Sequence, residues 1–440
     1  MTRRETALGY FLNQKDETAL RAKTGIELYR KGDARIRFET ADGAPLPEDI
    51  TVEARQTNHE FRFGANLFML DEFETPEKNA VYREKFPEVF NLATVPFYWR
   101  DLEPEQGKPR FAADSPRVYR RPAPDLCVDY CREKGIEPKC HCLNYDTFLP
   151  DWLREADVEE VKRALSKRFA EIAERYAASI PSFEVTNETL QDHFRSPFFF
   201  EDDFVEWSFR TADRYFPANR LVINDYNVWT PSIRHRRSSY HMQIERLLSK
   251  GVSHLDSIGM QFHSFFPQEK EPEMAGQRYD PESLYRLMDC YADFGIPEQI
   301  TEMTIPAYSA SAEDEDIQAE LIKNVYTTFF SHPAMEAVIY WNVVDGYAYR
   351  AEPGDMSAGE NVYHGALLRF DMSEKPAWKT LKRLIREEWH TETSVKAVNG
   401  EAAFRGFYGD YDVTVHAGEK TLKRQIRLSK KASNVFTVVL

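Results

Sequence analysis

The stretch Ser182-Phe183-Glu184-Val185-Thr186-Asn187-Glu188 is a short run of aromatic and β-branched residues that ends in a carboxylate. Ile180-Pro181 separates it from a preceding segment with regularly spaced apolar residues. They recur at three- and four-residue spacing: Val158, Val161, Leu165, Phe169, Ile172 and Tyr176. This spacing predicts a helix with one buried stripe, and the run after it is typical of a buried strand. The two segments together therefore predict one helix and strand unit.

Seven more runs of the same kind are present between residues 61 and 345. They cover residues 61–68, 90–97, 137–145, 220–227, 257–264, 298–305 and 337–345. Eight strands, each followed by enough chain for a crossover, fit a closed parallel barrel. An open doubly wound sheet would usually have a glycine-rich phosphate turn after its first strand, and the sequence has none. We therefore predict an α/β fold, a (β/α)8 TIM barrel over residues 58–392.

Both ends of the chain contain segments with strand-like alternation. Ala34-Arg35-Ile36-Arg37-Phe38 and Ile50-Thr51-Val52-Glu53-Ala54 lie before the barrel. Tyr411-Asp412-Val413-Thr414-Val415 and Val435-Phe436-Thr437-Val438-Val439 lie after it. Neither pair is long enough to bury a good core alone. We therefore predict a small accessory β-sandwich formed jointly by residues 1–57 and 393–440.

Composition narrows the possible partners and location. The 440 residues contain 57 basic and 72 acidic side chains, a net charge of −15, which argues against a nucleic-acid partner because phosphate binding needs a basic face. No stretch is apolar enough to span a membrane, so we predict no membrane partner, and no secretory signal follows Met1. We expect a cytoplasmic protein, or a secreted one if a leader precedes Met1. The oligomeric state stays open.

The five cysteines offer thiols that could bind a metal. Cys127 and Cys131 have helical spacing, and Cys140-His141-Cys142 lie on a predicted strand. Because Cys140 and Cys142 share a strand face that excludes His141, and the overall spacing is irregular, reduced core thiols are the better interpretation. We predict no metal site, and the absence of a phosphate loop or cofactor fingerprint predicts no cofactor.

Two of the predicted strands end in glutamates. These are Glu188 on the fourth strand and Glu302, which closes Gln299-Ile300-Thr301-Glu302 on the seventh. Both belong on the working face of the barrel, and strands four and seven lie across its mouth. The two carboxyl groups can then lie at about 5–5.5 Å, the separation that retaining glycoside hydrolysis requires. The alternative is that each glutamate pairs with a nearby arginine, but two glutamates at opposed strand ends favour catalysis.

Several motifs are similar to the motifs of one known protein family. They are Val185-Thr186-Asn187-Glu188, Asn224-Asp225-Tyr226-Asn227, Ile258-Gly259-Met260-Gln261-Phe262-His263, Ile300-Thr301-Glu302 and Tyr340-Trp341. In this order and spacing the chain resembles glycoside hydrolase family 10, the xylanase family. The resemblance implies that Glu302 is the nucleophile and Glu188 the acid/base. Catalysis then needs a neutral Glu188 and an ionised Glu302 at the start of the reaction.

The resemblance also implies substrate-binding roles. Asn187 would hold the 2-hydroxyl of the reacting sugar. Gln261 and His263 would orient Glu302 or that hydroxyl, and Asn224 would support Glu188. The ring of Trp341 would form the floor of the sugar pocket. On the third strand the binding candidates are His141, Tyr145 and Asp146, where Tyr145-Asp146 replaces the family's usual Trp-His pair.

The chain departs from the family on one side of the cleft. Val95-Pro96-Phe97-Tyr98-Trp99 stands where the family has glycone-binding polar residues, and Thr304 stands where it has an aspartate that partners the sixth-strand histidine. We therefore expect a substrate other than plain linear xylan, or a decorated form of it, with Arg100 or Arg350 meeting a uronic-acid carboxylate. We also expect His263 to be held less strongly as a cation.

Two long loops at the strand ends are rich in aromatic residues. Residues 191–200 and 346–364 can form a wall of the substrate groove or pack on the barrel rim. We predict a retaining hydrolase that cleaves β-1,4-xylosidic bonds in an oligosaccharide or polysaccharide. The alternatives are a hydrolase of another plant-derived β-glycoside or decorated glycan, and a carbohydrate-binding barrel without turnover.

Overall fold

A computed structural model defines residues 2–191, 194–226, 228–229 and 236–440. The strands are β1 (Lys31–Glu39), β2 (Ile50–His59), β3 (Arg62–Asn66), β4 (Leu92–Pro96), β5 (Glu137–His141), β6 (Ser182–Asn187), β7 (Arg220–Asp225), β8 (Ser257–His263), β9 (Glu298–Thr304), β10 (Met335–Tyr340), β11 (Glu392–Lys396), β12 (Glu401–Phe407), β13 (Gly409–Ala417), β14 (Lys420–Leu428) and β15 (Val435–Val439).

The helices in chain order are α1 (Arg3–Asn13), α2 (Lys15–Tyr29), α3 (Pro76–Val89), α4 (Trp99–Leu102), α5 (Pro124–Lys134), α6 (Val158–Tyr176), α7 (Phe204–Tyr215), α8 (Ser239–Ser249), α9 (Glu271–Arg278), α10 (Pro281–Ala292), α11 (Ala312–Ser331) and α12 (Pro376–Arg383). In the described ranges, none of them has an apolar run long enough to cross a bilayer.

Eight parallel strands close into a barrel in the order β10-β3-β4-β5-β6-β7-β8-β9. This confirms the predicted TIM barrel, because each predicted run coincides with one barrel strand, and only β10 begins before its run, at Met335. Some strands are shorter than the predicted runs: β5 ends at His141, so Tyr145 and Asp146 lie beyond the strand, and β10 ends at Tyr340. Asn227, which the sequence placed at the end of the fifth run, lies outside the described residues.

The helix α6 forms for the reasons that its sequence suggests. Asp157 caps its first turn and exchanges hydrogen bonds with Glu160, a capping box. The stripe that includes Leu165, Phe169 and Ile172 is buried in the barrel core. The helix therefore covers the outer side of the barrel and leads directly into β6, the strand that positions Asn187 and Glu188.

A second, smaller core lies between two sheets outside the barrel. One sheet has the strand order β12-β1-β15 and the other the order β11-β2-β13-β14. The side chains that share this core come from both ends of the chain: Ala34, Ile36, Phe38, Ile50, Val52, Ala54, Ala402, Phe404, Tyr411, Val413, Val415, Ala417, Leu428 and Val438. The predicted accessory sandwich of N- and C-terminal segments is therefore confirmed.

The expectation of β structure throughout residues 1–57 is wrong for the first part of that segment. Residues 3–29 form α1 and α2, and Leu8 and Phe11 of α1 are buried in the barrel core. Thr2 starts α1 with a capping box, and Arg3 forms an ion pair with Glu271 of α9 at 3.0 Å. The two helices therefore belong with the barrel. The other domain boundaries stay predictions.

The paired sheets predict different outcomes for two adjacent substitutions in β13. Val415 is fully buried opposite Val52, whereas Thr414 on the other face lies beside Glu53. We expect Val415→Asn to lower the free energy of unfolding by about 2–4 kcal/mol, because it buries an amide without a partner. The control Thr414→Asn should change it by less than about 0.5 kcal/mol. Urea titration measures both, and equal losses would contradict the sandwich core.

Candidate active site

A cleft with a volume of about 680 Å³ opens at the carboxyl ends of the barrel strands. Eight of the ten predicted site residues line it: His141, Tyr145, Asn187, Glu188, Gln261, His263, Glu302 and Trp341. The barrel brings them together because parallel strands in a closed barrel present their carboxyl ends at one face. The remaining two, Asp146 and Asn224, lie behind the cleft wall and serve other contacts.

Glu188 points into this cleft with two hydrogen-bond donors on its carboxylate. The hydroxyl of Tyr145 donates to Oε2, and Nε2 of Gln261 donates to Oε1 at 3.0 Å. Its backbone adopts a left-handed φ of 54°, a strained conformation for a residue with a side chain. The carbonyl of Asn224 accepts its backbone N–H at 3.1 Å and helps to hold this conformation.

Glu302 is only 4% exposed and has contacts on both carboxylate oxygens. Nδ2 of Asn224 donates to Oε1 at 3.2 Å, and Nε2 of His263 lies 3.1 Å from Oε2. Burial raises the pKa of Glu302 to about 8, against the attraction of His141 and with the carboxylate of Glu184 adding to the rise. The free site therefore favours a proton on Glu302, which is the opposite of the ionised state expected for a nucleophile.

His263 is the immediate neighbour of that carboxyl group. Its Nδ1 lies 3.0 Å from Oγ1 of Thr304, and its ring stacks on Phe265 with centroids 4.4 Å apart. Burial lowers the pKa of His263 to about 4. The imidazole is therefore neutral near neutral pH, which agrees with the expectation that Thr304 does not hold it as a cation.

The two catalytic candidates are connected by side-chain amides. Nε2 of Gln261 donates to Glu188 and, at 3.2 Å, to Oδ1 of Asn187. Nδ2 of Asn224 donates to the same Oδ1 at 2.8 Å and to Glu302. Asn224 was expected to support Glu188, but its side chain instead contacts Glu302 and Asn187. Asn224 reaches Glu188 through its backbone carbonyl, which accepts the Glu188 N–H.

Beneath this network lies a fully buried carboxylate that the sequence analysis missed. Glu184 accepts from Nζ of Lys139 at 2.9 Å and from Nδ2 of Asn224 at 3.1 Å, and it lies 2.8 Å from Nδ1 of His141. Burial opposes its charge, but Lys139 and His141 outweigh it and lower the pKa of Glu184 to about 2. Charged residues within the buried strands β5 and β6 were the signal that could have revealed it.

His141 connects this buried group to the cleft. Burial disfavours its cation, but the carboxylate of Glu184 outweighs that effect and raises the pKa of His141. Its Nε2 lies 3.0 Å from the hydroxyl of Tyr98, another cleft residue that the sequence analysis did not select. His141 therefore links the buried Glu184 to Tyr98 at the floor of the cleft.

The prediction that Asp146 binds substrate is wrong in this geometry. Its Oδ2 accepts from the backbone N–H of Arg195 and, at 3.0 Å, from that of Ser196. Its Oδ1 accepts from the Ser196 hydroxyl. Asp146 is therefore buried as a cap for the loop after β6, and its carboxylate is not available to a sugar.

Aromatic rings form the floor of the cleft. The Trp341 ring lies 5.2 Å from the Phe68 ring and 5.7 Å from each of the His141 and His263 rings, measured between centroids. The two aromatic loops behave differently. Tyr349 of residues 346–364 lines the cleft, whereas Phe198 of residues 191–200 is buried against the barrel side.

One group of described residues has the ligand types of a metal site. Potential ligand atoms of His141, Cys142 and Glu184 lie within 4.8 Å of one another. Lys139 and His141 already engage both oxygens of Glu184. Burial raises the pKa of the Cys142 thiol well above its ordinary value, so no thiolate is offered. These residues therefore fit an internal hydrogen-bond network and do not fit a metal.

A family comparison covers the barrel region. The sequence profile described as glycosyl hydrolase family 10 matches residues 63–383, which is most of the chain. The chain belongs to glycosyl hydrolase family 10. All of the barrel strands except the first residue of β3 fall within that match.

The relatives of this chain are distant in sequence. Anti-sigma-I factor RsgI6 of Acetivibrio thermocellus is 24% identical, covering 90% of this chain and 46% of that protein. Endo-1,4-beta-xylanase 1 of Arabidopsis thaliana is also 24% identical, covering 95% of this chain and 40% of that protein. The chain thus spans less than half the length of these two relatives.

Solved structures of family 10 share the barrel fold. Xylanase 10B from Thermotoga maritima is 23% identical with a TM-score of 0.59, covering 75% of this chain and 96% of that one. Xylanase 10B from Thermotoga petrophila RKU-1 in complex with xylobiose is 22% identical with a TM-score of 0.59, covering 75% and 95%.

The contact between His263 and Thr304 predicts how the histidine responds to a new charge. We expect Thr304→Asp to raise the pKa of His263 by about 1 to 3, because a carboxylate beside Nδ1 stabilises the imidazolium. Thr304→Asn is the matched control, since it has the same shape without the charge and should leave that pKa low. NMR titration of the ring protons measures both variants. A low pKa in the aspartate variant would contradict this account.

Proposed function

We propose that this family 10 protein cleaves β-1,4-xylosidic bonds in xylan or xylo-oligosaccharides by double displacement. The observation that carries the proposal is that Glu188 and Glu302 line one cleft from β6 and β9 and are joined by amide hydrogen bonds. The names of the xylanase relatives and the xylobiose held by the Thermotoga petrophila enzyme support the choice of sugar.

In the first step, Glu302 attacks the anomeric carbon and forms a glycosyl ester. Glu188 gives its proton to the departing glycosidic oxygen, so that the sugar after the cleaved bond leaves as an alcohol. Asn224 and His263 can each donate a hydrogen bond to Glu302, which favours its carboxylate over the acid that burial prefers.

In the second step, Glu188 acts as a base. It takes a proton from water, the water oxygen attacks the anomeric carbon, and Glu302 leaves as a carboxylate. The hydroxyl of Tyr145 and the amide of Gln261 donate to Glu188 and hold its carboxylate toward the cleft. The two inversions together retain the configuration of the sugar.

Contacts to the reacting sugar follow from the groups that remain available. Oδ1 of Asn187 already accepts from Asn224 and Gln261, so its Nδ2 is the group that meets a sugar 2-hydroxyl. Trp341 offers its ring as a floor beside His141 and His263. Flat rings and a directed amide are the contacts that orient a sugar in a cleft.

The assignment of the nucleophile and the acid/base predicts two distinct losses. We expect Glu302→Gln to abolish hydrolysis of every xyloside tested. Glu188→Gln should lose about 10²–10⁴-fold in activity on xylo-oligosaccharides, because proton donation to a poor leaving group is lost. It should keep a fast first step on aryl xylosides, whose leaving group needs no acid. Glu269→Gln, an exposed residue after β8, is the control.

The second step supplies the deciding measurement. With Glu188→Gln and an aryl xyloside, added azide should restore turnover and form a β-xylosyl azide, because azide attacks the glycosyl ester without base assistance. Mass spectrometry and NMR identify this product. An α-xylosyl azide, or equal behaviour of the two glutamine variants, would contradict the proposed roles.

A further inference from the structure

One wall of the cleft has a concentration of positive charge. Arg100, Arg120, Arg121 and Arg350 all line it, although the chain as a whole has a net charge of −15. They lie beside Tyr98 and Tyr349, at the carboxyl ends of β4 and β10. Cations gathered at one side of a cleft in an acidic protein indicate an anionic ligand.

Arg120 is buried in this wall without a full set of partners. It is 2% exposed, and it donates to the backbone carbonyl of Tyr347 and to Oδ1 of Asn342 at 3.1 Å. Its Nε is buried and has no hydrogen-bond partner among the described residues. Burial also lowers the pKa of Arg120. A buried charged donor left in this state is costly, and an anion in the cleft would relieve that cost.

Arg100 and Arg121 share a single carboxylate. Arg121 pairs with Asp101 at 2.9 Å, and Arg100 lies 3.5 Å from the other oxygen of Asp101. The Arg121 guanidinium also lies 3.9 Å from the centre of the Tyr98 ring. Arg100 donates to the Tyr349 hydroxyl at 2.9 Å. These contacts fix the two guanidinium groups in position while leaving them short of negative charge.

The remaining charges on this wall do not balance it. Arg350 is exposed at the rim with its guanidinium 5.0 Å from the centre of the Tyr349 ring. Glu360 lines the cleft, but its Oε2 accepts from Nδ2 of Asn342 at 2.7 Å. Four arginines thus face two acids, Asp101 and Glu360, which leaves two positive charges uncompensated in this part of the described structure.

The wall continues from the aromatic floor of the cleft. The Trp341 floor contacts the Phe68 ring, which lies 5.8 Å from the Tyr98 ring under Arg121. A sugar over Trp341 beside Glu302 would therefore have its neighbour next to the arginines. This is also the region formed by Val95-Pro96-Phe97-Tyr98-Trp99, where the sequence departs from its family.

We propose that this arginine wall is a subsite for a uronic-acid carboxylate on the sugar adjacent to the one that is cleaved. The planar guanidinium fork matches a carboxylate with two parallel hydrogen bonds, and the tyrosine rings pack against the sugar that carries it. The inference rests on the proposed function, since it names the form of xylan or related glycan that the same cleft prefers.

The test compares two oligosaccharides of the same shape. One is a xylo-oligosaccharide with a single glucuronic-acid side chain, and the other has that carboxyl reduced to an alcohol. We expect kcat/KM to be at least about tenfold higher for the acid. This ratio should fall with added salt, because screening weakens the contact with the charge. Product masses locate the acidic sugar relative to the cleaved bond.

Variants separate this inference from the proposed function. Arg100→Gln and Arg350→Gln should each reduce the ratio by at least about threefold. Arg195→Gln is the matched control, because Arg195 lines the same cleft after β6 and pairs with Asp151.

Equal rates on both oligosaccharides, or an equal loss in the control, would overturn the inference while the proposed function stands. A stronger preference for a sulfate ester at that position would overturn the carboxylate assignment. No hydrolysis of any oligosaccharide would refute the proposed function itself.

Discussion

The buried carboxylate of Glu184 is the constraint on which the rest of the site depends. A charge with no access to solvent must be satisfied inside the protein: Lys139 contacts one carboxylate oxygen as the opposite charge, and His141 and Asn224 contact the other. Breaking a buried pair by removing one partner typically costs about 3–5 kcal/mol. The three strand ends are therefore held together below the cleft, which positions Asn187 and Glu188 at the end of β6 and Asn224 against Glu302.

The same interior determines how charge is distributed between the carboxyl groups. Glu184 stays ionised because it faces Lys139 and His141, whereas the groups that contact Glu302, Asn224 and His263, are neutral. Burial then favours the neutral acid at Glu302. In the proposed mechanism, positive charge that develops at the anomeric carbon of the sugar would stabilise the ionised form of Glu302.

The parts of the protein that the sequence predicted are those set by local pattern. The run before Glu188 and the stripe in α6 follow directly from residue spacing, and strand-end glutamates must share one barrel face. The misjudged residues depend on partners far along the chain. The carboxylate of Asp146 accepts a hydrogen bond from Ser196, fifty positions later in the chain. The carboxylate of Glu184 pairs with Lys139 of the preceding barrel strand. Residues 3–29 pack on the barrel for a similar reason, since Arg3 of α1 forms ion pairs with Glu271 of α9 and Asp314 of α11.

Because its partner is the Thr304 hydroxyl, the His263 ring can carry its proton on either nitrogen. An acidic partner would fix the proton on Nδ1. A hydroxyl can donate to Nδ1 or accept from it, so the neutral ring can carry its proton on either nitrogen. With the proton on Nε2, the ring donates to an ionised Glu302; with the proton on Nδ1, it accepts from a protonated Glu302. Both states of the carboxyl group therefore keep a hydrogen bond without a charge on the ring. Glu302 can gain or lose its proton in this buried position while its side chain stays in place.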